Sequence, residues 1–547
     1  MPDIKITYNG EVKVFERPVT VLDVIGRDKN FIAAYVNRRV RELTYVINQD
    51  SEVIPLTMKD DDAKHIYEAS VRFLVAMAMH NIHPELDVRF SYNISRSIFM
   101  QILTPGVSSN GQMALELIQE MKRLVDLDYP MTRKIVSKEE AKERFEKFGM
   151  NDKAAIMAYR PEKTAHIYEC HGYINYMYSR MVPSTGYIAK WAIRYYHPGL
   201  IIQYPRSEAN GEIPPFEDAP TFGRTLKRAH QWAIATGADT IVGINEHIKK
   251  DGEVDFINLC ECKHNQQISE LGEMIQNDIE SIRLICIAGP SSSGKTTFAN
   301  KLRIELMSRG INPIRISLDD YYLSPSKAPL DENGERDLES IEALDIELFN
   351  KNMSDLISGM TVDLPKYDFL QGKQVFGRRI KISPDTPIII EGIHALNDRM
   401  TKDIPSHQKF KIFIAPQAQI AIDNHNPVSL TDLRLLRRIV RDYQFRGSSA
   451  LETMKMWPSV RKGEFKWIYD TQEGANYVFN SLLPYELSAM KKYAMPLLQE
   501  IDIESKYFPV AERLIRMLKF FNEIGEQWIP NNSLIREFIG GSCFADV

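Results

Sequence analysis

Between Leu284 and Leu306 the chain passes from a strand pattern to a helix pattern through one glycine-rich turn, and few folds accept that switch. Leu284, Ile285, Ile287 and Ala288 form an apolar run of strand length, too short for a buried helix. The run breaks at Gly289. From Lys295 onward Phe298, Leu302 and Leu306 recur four apart, on one helix face. Between the two patterns lie Gly289, Pro290, Ser291, Ser292, Ser293, Gly294, Lys295 and Thr296, followed by Thr297, in the spacing G-x-x-x-x-G-K-T. Glycines at those positions let backbone N–H groups turn inward around phosphate oxygens, and the helix N-terminus adds partial positive charge. In such a loop the Lys295 ammonium reaches the outer phosphates and the Thr296 hydroxyl is placed to hold Mg²⁺.

At 547 residues the chain is too long for one core, and three domains is the natural expectation. A net charge of −5 argues against non-specific polyanion binding, though local basic patches remain open. Cys170, Cys260, Cys262, Cys286 and Cys543 are few and scattered, as in a reduced, cytoplasmic chain. The start, Met1-Pro-Asp-Ile-Lys-Ile-Thr, lacks the apolar core of a signal peptide, and no run nears bilayer length, so no membrane partner is expected.

Residues 1–60 read as a small β-rich unit: Ile4, Ile6 and Tyr8 alternate with polar residues, Asn9-Gly10 supplies a hairpin turn, and Val12 and Val14 resume the alternation. Strand-length segments follow at Phe31–Val36 and Tyr45–Ile47. The layout resembles the TGS domain, a ubiquitin-like β-grasp module. Residues 61–278 read as an α+β region, with helical stripes over Ile66–Met79 and Met113–Val125, a Pro-, Gly- and acid-rich loop over Pro205–Pro220, and a helix over Gly223–Ala235. Its position resembles that of the editing domain of threonyl-tRNA synthetases. His65 and Cys170 stand at the first positions of that family's H-x-x-x-H and C-x-x-x-H pairs, but Ala69 and Ile174 occupy the partner positions. The neighbouring His171 reads as a satisfied surface histidine. Cys260-Glu-Cys262-Lys-His264 would place three candidate ligands on one face of a strand; with no fourth ligand in pattern, a structural role is the better reading than a closed zinc site.

Residues 279–547 carry the chemistry. Ile314–Leu318 alternates as a strand and ends at Asp319-Asp320-Tyr321-Tyr322. A strand, a phosphate loop, a helix and a second strand make a right-handed βαβ unit, which brings the strand end to the loop's edge of the sheet. A carboxylate there, Asp319, can accept the proton of an attacking hydroxyl; helix capping is its plainer use. Pro387–Ile390 reads as a third buried strand closed by Glu391, an acid placed to hold Mg²⁺ directly or through water, and Lys409–Ala415 as a fourth. In Asp432–Gly447, Arg434, Arg437 or Arg438, and Arg441 recur along one helix face with Leu435, Leu436 and Ile439 on the other sides. This is either a solvated basic face or a lid whose guanidiniums neutralise a transferring phosphoryl group. Toward the C-terminus Trp457, Trp467, Phe479 and the stripe Leu514, Met517, Leu518, Phe521 read as core, and Phe538–Ser542 as a plain loop.

These motifs, with Pro365-Lys-Tyr367-Asp368-Phe369 and Ile390-Glu391-Gly392, resemble the uridine/cytidine kinase branch of the phosphoribulokinase/uridine kinase family. With the two preceding units the chain resembles uridine kinase-like proteins that carry a TGS domain. The resemblance implies a P-loop kinase fold with a parallel sheet, and transfer of the γ-phosphate of ATP, with Mg²⁺, to a nucleoside 5′-hydroxyl. It implies Asp319 as base, Lys295, Arg437 and Arg441 as catalytic partners, and Glu391 beside Mg²⁺. Glu339 stands where the family grips the ribose with an Asp; Tyr322 and Tyr367 would line the nucleoside site. Arg434, Arg438 and Arg446 would clamp phosphates. One departure bears on specificity: where the family carries a base-reading His, this chain has Leu370-Gln371-Gly372-Lys373, with Gly372 at about that position. The alternatives are a kinase of a phosphosugar or vitamin precursor, an ATP-switched RNA-associated regulator contacting tRNA through its N-terminal units, and, for the middle region, hydrolysis of mischarged tRNA. Homo-oligomerisation is also open.

Overall fold

A computed structural model describes residues 3–330, 334, 336–368, 371–417 and 420–545. Phe369 and Leu370 of the kinase motifs, and Met1 and Pro2 of the start, lie outside the described residues.

Residues 4–56 form a mixed five-stranded sheet in the order Glu11–Phe15, Ile4–Tyr8, Ser51–Leu56, Ala33–Val36, Arg39–Arg41, with the central Ile4–Tyr8 and Ser51–Leu56 parallel. Asn9 (φ 52°) and Gly10 (φ 80°) turn the first hairpin, the left-handed pair that matches strand twist. Ile4 and Ile6 are buried, whereas Val12 and Val14 on the edge strand are exposed. The Phe31–Val36 strand begins only at Ala33, and Tyr45–Ile47 contributes the two-residue strand Val46–Ile47, paired with Val19–Thr20.

The next region is built on the helix Asp61–Ile82, whose residues from Ala69 to Met79 are all buried. A four-stranded antiparallel sheet (Ala192–Tyr196, Gly199–Gln203, Ser97–Ile102, Val88–Ile94) and a three-stranded one (Thr132–Ser137, Thr164–Cys170, Tyr173–Asn175) stand beside it with the helix Gly111–Leu127. Residues 205–219 are irregular apart from a short turn at Ser207–Ala209. The helix Pro220–Ala235 starts three residues ahead of Gly223, because Pro is well suited to a first helical position. His171 is exposed and stacks on Tyr129 at 4.1 Å.

The Cys260–His264 segment is not a strand. It lies within the helix Glu253–Asn277, where Phe256, Cys260, His264, Ile268, Leu271 and Ile275 make one buried stripe. Cys262 consequently points away, exposed, while His264 Nε2 bonds to the Leu482 carbonyl at 3.0 Å. Among the described residues no group of three His, Cys, Asp or Glu side chains could hold a metal ion.

The last sheet is wholly parallel, in the order Ile314–Ser317, Ile388–Glu391, Leu284–Ala288, Lys409–Ala415, Tyr477–Asn480. Leu284–Ala288 is buried at every residue, as expected of a central parallel strand covered on both faces. A crossover through the helix Lys295–Ser308 carries the chain past Ile388–Glu391 to Ile314–Ser317, so Ser317 and Ile287 both register with Glu391. One apolar core runs continuously from Ala141 to Ile539 and includes Phe298, Leu302 and Leu306. Among the described residues no helix is long and apolar enough to cross a membrane.

Candidate active site

The loop after Leu284–Ala288 is shaped by its glycines. A side chain at Gly289 would run into the Ile414 carbonyl, and Gly294 (φ +89°) takes a conformation that side chains avoid while Leu534 packs against it. Ser292 is also left-handed (φ 58°). Lys295 Nζ bends back to donate to the carbonyls of Gly289 and Pro290 at 3.1 and 3.2 Å. The buried hydroxyls of Ser292, Ser293 and Thr297 have no hydrogen-bond partner among the described residues. Such groups are costly unless something completes them, and a polyphosphate in this cradle fits that requirement.

Three acids converge on the same edge. Asp319 is the second residue of the turn Leu318–Tyr321, its N–H donating to Ser317 Oγ at 3.3 Å. Glu391 ends the neighbouring strand and is buried; its carboxyl is pushed up to about 7 by burial and the Asp319 charge, against the pull of Arg315 and Lys295. Glu339 is raised by burial while Arg438 and Lys295 lower it. Burial pulls the Lys295 ammonium down, and Glu391, Asp319 and Glu537 act against that. Lys295 therefore shares one electrostatic neighbourhood with Asp319, Glu339 and Glu391. Tyr322 and Tyr367 pack edge to face at 6.1 Å, and burial, then Asp319 and Glu339, raise the Tyr322 hydroxyl far above its ordinary value. Asp320 is held back from this group by accepting the Tyr367 N–H at 3.2 Å. Gly372 (φ +63°) turns the hairpin between Val362–Asp368 and Lys373–Ile380 close to the Tyr367 hydroxyl, and Gln371 beside it is exposed.

The arginine helix, Leu430–Arg446, is not a solvated basic face. It is buried from Asp432 to Val440 and lies against the loop. All five N–H donors of Arg437 are engaged: with both Glu486 oxygens, with Ser481 Oγ and its carbonyl, and with the Ser292 carbonyl. Arg434 binds both oxygens of Glu464, the Tyr469 hydroxyl and the Ser291 carbonyl. These two side chains hold the loop from beneath. Arg438 donates to Ser291 Oγ at 2.8 Å. Asp442, buried, gathers the heads of Arg438, Arg441 and Arg446 at 3.2, 2.7 and 3.8 Å. Arg446 is lowered chiefly by Arg441 and then by burial, while Asp442 and Asp319 act against that.

Several residues here carry no local sequence signal. Glu464, Glu486 and Tyr469 come from later helices and turns; the general hint is that a buried arginine needs a carboxylate somewhere. The C-terminal stretch read as a plain loop holds the short helix Arg536–Ile539, whose Glu537 accepts the Thr297 N–H at 3.0 Å and whose Phe538 lies 4.9 Å beneath the Arg437 guanidinium.

Residues 284–487 match the Phosphoribulokinase / Uridine kinase family. A uridine kinase of Staphylococcus haemolyticus (strain JCSC1435) is 32% identical over 179 residues, which covers 33% of this chain and 77% of that enzyme. The chain belongs to the phosphoribulokinase/uridine kinase family. It is thus an ATP-dependent kinase that acts on a hydroxyl acceptor. A uridine kinase of Staphylococcus aureus (strain JH9) is 31% identical over 182 residues, 33% of this chain and 79% of the relative. A solved structure described as a possible uridine kinase from Bacillus stearothermophilus has 24% identity, covers 27% of this chain and 79% of its own, and gives a TM-score of 0.24. Residues 1–283 and 488–547 of this kinase lie outside the family match.

Proposed function

We propose that this kinase transfers the γ-phosphate of ATP to the 5′-hydroxyl of a nucleoside. The observation supporting this reading is the single charged neighbourhood in which Lys295, at the base of the phosphate loop, meets Asp319, Glu339 and Glu391 beside two tyrosines. Loop amides and Lys295 hold the phosphates. Asp319 accepts the proton of the acceptor hydroxyl and keeps its oxygen in line, work worth ~10²–10⁴-fold. Arg438, Arg441 and Arg446, held together by Asp442, neutralise charge that spreads over the transferring group. Arg434 and Arg437 keep the loop carbonyls turned outward so that its amides face in. Glu339 grips sugar hydroxyls, and Tyr322 and Tyr367 wall the base.

Thr296 and Glu391 would hold Mg²⁺, whose charge screens the phosphates and relieves the repulsion between Glu391 and Asp319. For residues 1–60 a β-grasp, TGS-like unit is supported by the mixed five-stranded sheet with the short helix Val21–Ile25.

ATP consumption over a panel of nucleosides, pentose phosphates and pantothenate tests the acceptor. A nucleoside should be preferred; preference for a phosphosugar or pantothenate would sink the nucleoside reading. Asp319→Asn should cut turnover ~10²–10⁴-fold with ATP affinity nearly unchanged, and undiminished turnover would remove Asp319 from the base role.

A further inference from the structure

The first-turn amides of a helix have no partner within the helix, and together with its dipole they make an anion site. In the 14-residue helix Lys295–Ser308 one of them, Thr297 N–H, is already given to a carboxylate of the chain itself, Glu537 Oε2 at 3.0 Å. The same carboxylate acts on the Lys295 ammonium. The contact is one of several along residues 533–538. Leu534 packs on Gly294, so the segment crosses the loop at its tightest turn. Phe538, fully buried, sits beneath Arg437. The Ser533 and Tyr485 hydroxyls share Glu261, on the long helix Glu253–Asn277. Two consecutive left-handed glycines, Gly540 (φ 87°) and Gly541 (φ 72°), follow. Residues 533–541 themselves lie beyond residue 487, where the family match ends.

We infer that residues 533–541 form an autoinhibitory strap in which Glu537 competes with the phosphates of the nucleotide for the head of the phosphate loop. The inference rests on the nucleotide site proposed above. One N–H cannot serve a carboxylate and a phosphate oxygen together, and two anions cannot share the Lys295 field without repulsion. Nucleotide therefore binds the fraction of molecules in which Glu537 has released the Thr297 N–H, and its apparent affinity is reduced by that fraction. Glu261 ties the strap to the phosphate-loop helix: it accepts from Ser533 and, at 3.7 Å, pairs with Lys301.

Equilibrium binding of Mg-ATP to the full chain tests this, with Glu537→Gln keeping the shape and removing the charge. The variant should bind ATP at least ~5-fold more tightly. As a second measurement on the unmodified chain, hydrogen exchange across residues 533–541 should speed up at saturating ATP. If wild type binds ATP, while Glu537→Gln binds no more tightly and exchange in the strap does not change, the strap is overturned and the nucleotide site stands. If neither folded protein binds ATP, both readings fail.

Discussion

Glu391 sits in register with both Ile287 and Ser317, so its carboxyl is buried between two strands beside a second acid. Folded, it keeps its proton up to about pH 7; unfolded, it releases it near 4.5. Between those values the folded state binds the extra proton, so the metal-free fold loses stability as pH rises through that window. Thermal melts in EDTA from pH 4.5 to 8 should show this decline in the wild type and a much flatter profile in Glu391→Gln; parallel profiles would remove Glu391 from the titration. Mg²⁺ needs the ionised carboxylate, so metal affinity should fall as pH drops below about 7. Arg437 poses the opposite problem, a buried cation with every donor satisfied. Arg437→Ala leaves Glu486 buried and unpaired and should cost ~3–5 kcal/mol by denaturant titration. Arg437→Met with Glu486→Leu should recover most of that stability while ATP affinity stays low, because nothing then holds the Ser292 carbonyl. Recovery of affinity along with stability would show that Arg437 does not position the loop.

At the scale of elements, the helices decide where these side chains go. The helix Ala450–Trp467 approaches the Glu339 turn so closely that any side chain at Gly463 would overlap Glu339. Gly463→Ala should therefore push Glu339 aside and lower kcat/KM for the acceptor ~10-fold with ATP affinity unchanged; equal losses for both substrates would place Glu339 outside the acceptor site. The phosphate loop, the helix after it and the strands Ile388–Glu391 and Lys409–Ala415 were legible because each has a local pattern of period and punctuation. The helix Glu253–Asn277 was misread as a strand over Cys260–His264, because the alternation of Cys260, Cys262 and His264 within five residues masks the helical spacing of Phe256, Cys260, His264 and Ile268, four apart. The arginine helix was readable as a helix and not as a buried one. Guanidiniums normally seek water, and Glu464, Glu486 and Asp442 reverse that preference, two of them from elements later in the chain.

Across the whole molecule, the part matched by the family does not stand apart. Lys153, fully buried, pairs with Asp423 at 2.9 Å, Arg72 donates to the His425 carbonyl, and Arg89 donates to Asn424 Oδ1 at 2.8 Å. The helix Glu253–Asn277 lies along the phosphate-loop helix, with Arg309 donating to Ser269 and Gln276. A fragment of residues 279–547 would expose that contact and Leu482 and Phe479, which His264 of that helix covers. Its melting temperature should lie at least ~10 °C below that of the full chain; an equally stable fragment would show that the shared core contributes nothing. What the sequence determined alone is the local chemistry: a strand, a phosphate cradle and a helix, acids at strand ends, and a row of arginines. Their consequences depended on which distant groups met them. Whether an arginine binds a phosphate or supports a loop, and whether a helix end is free or covered by Glu537, is set by charge pairing and burial between separate segments of the chain, as Arg437 with Glu486 and Thr297 with Glu537 show. No periodicity in one segment encodes the partner in another, and only the folded chain brings them within hydrogen-bond reach.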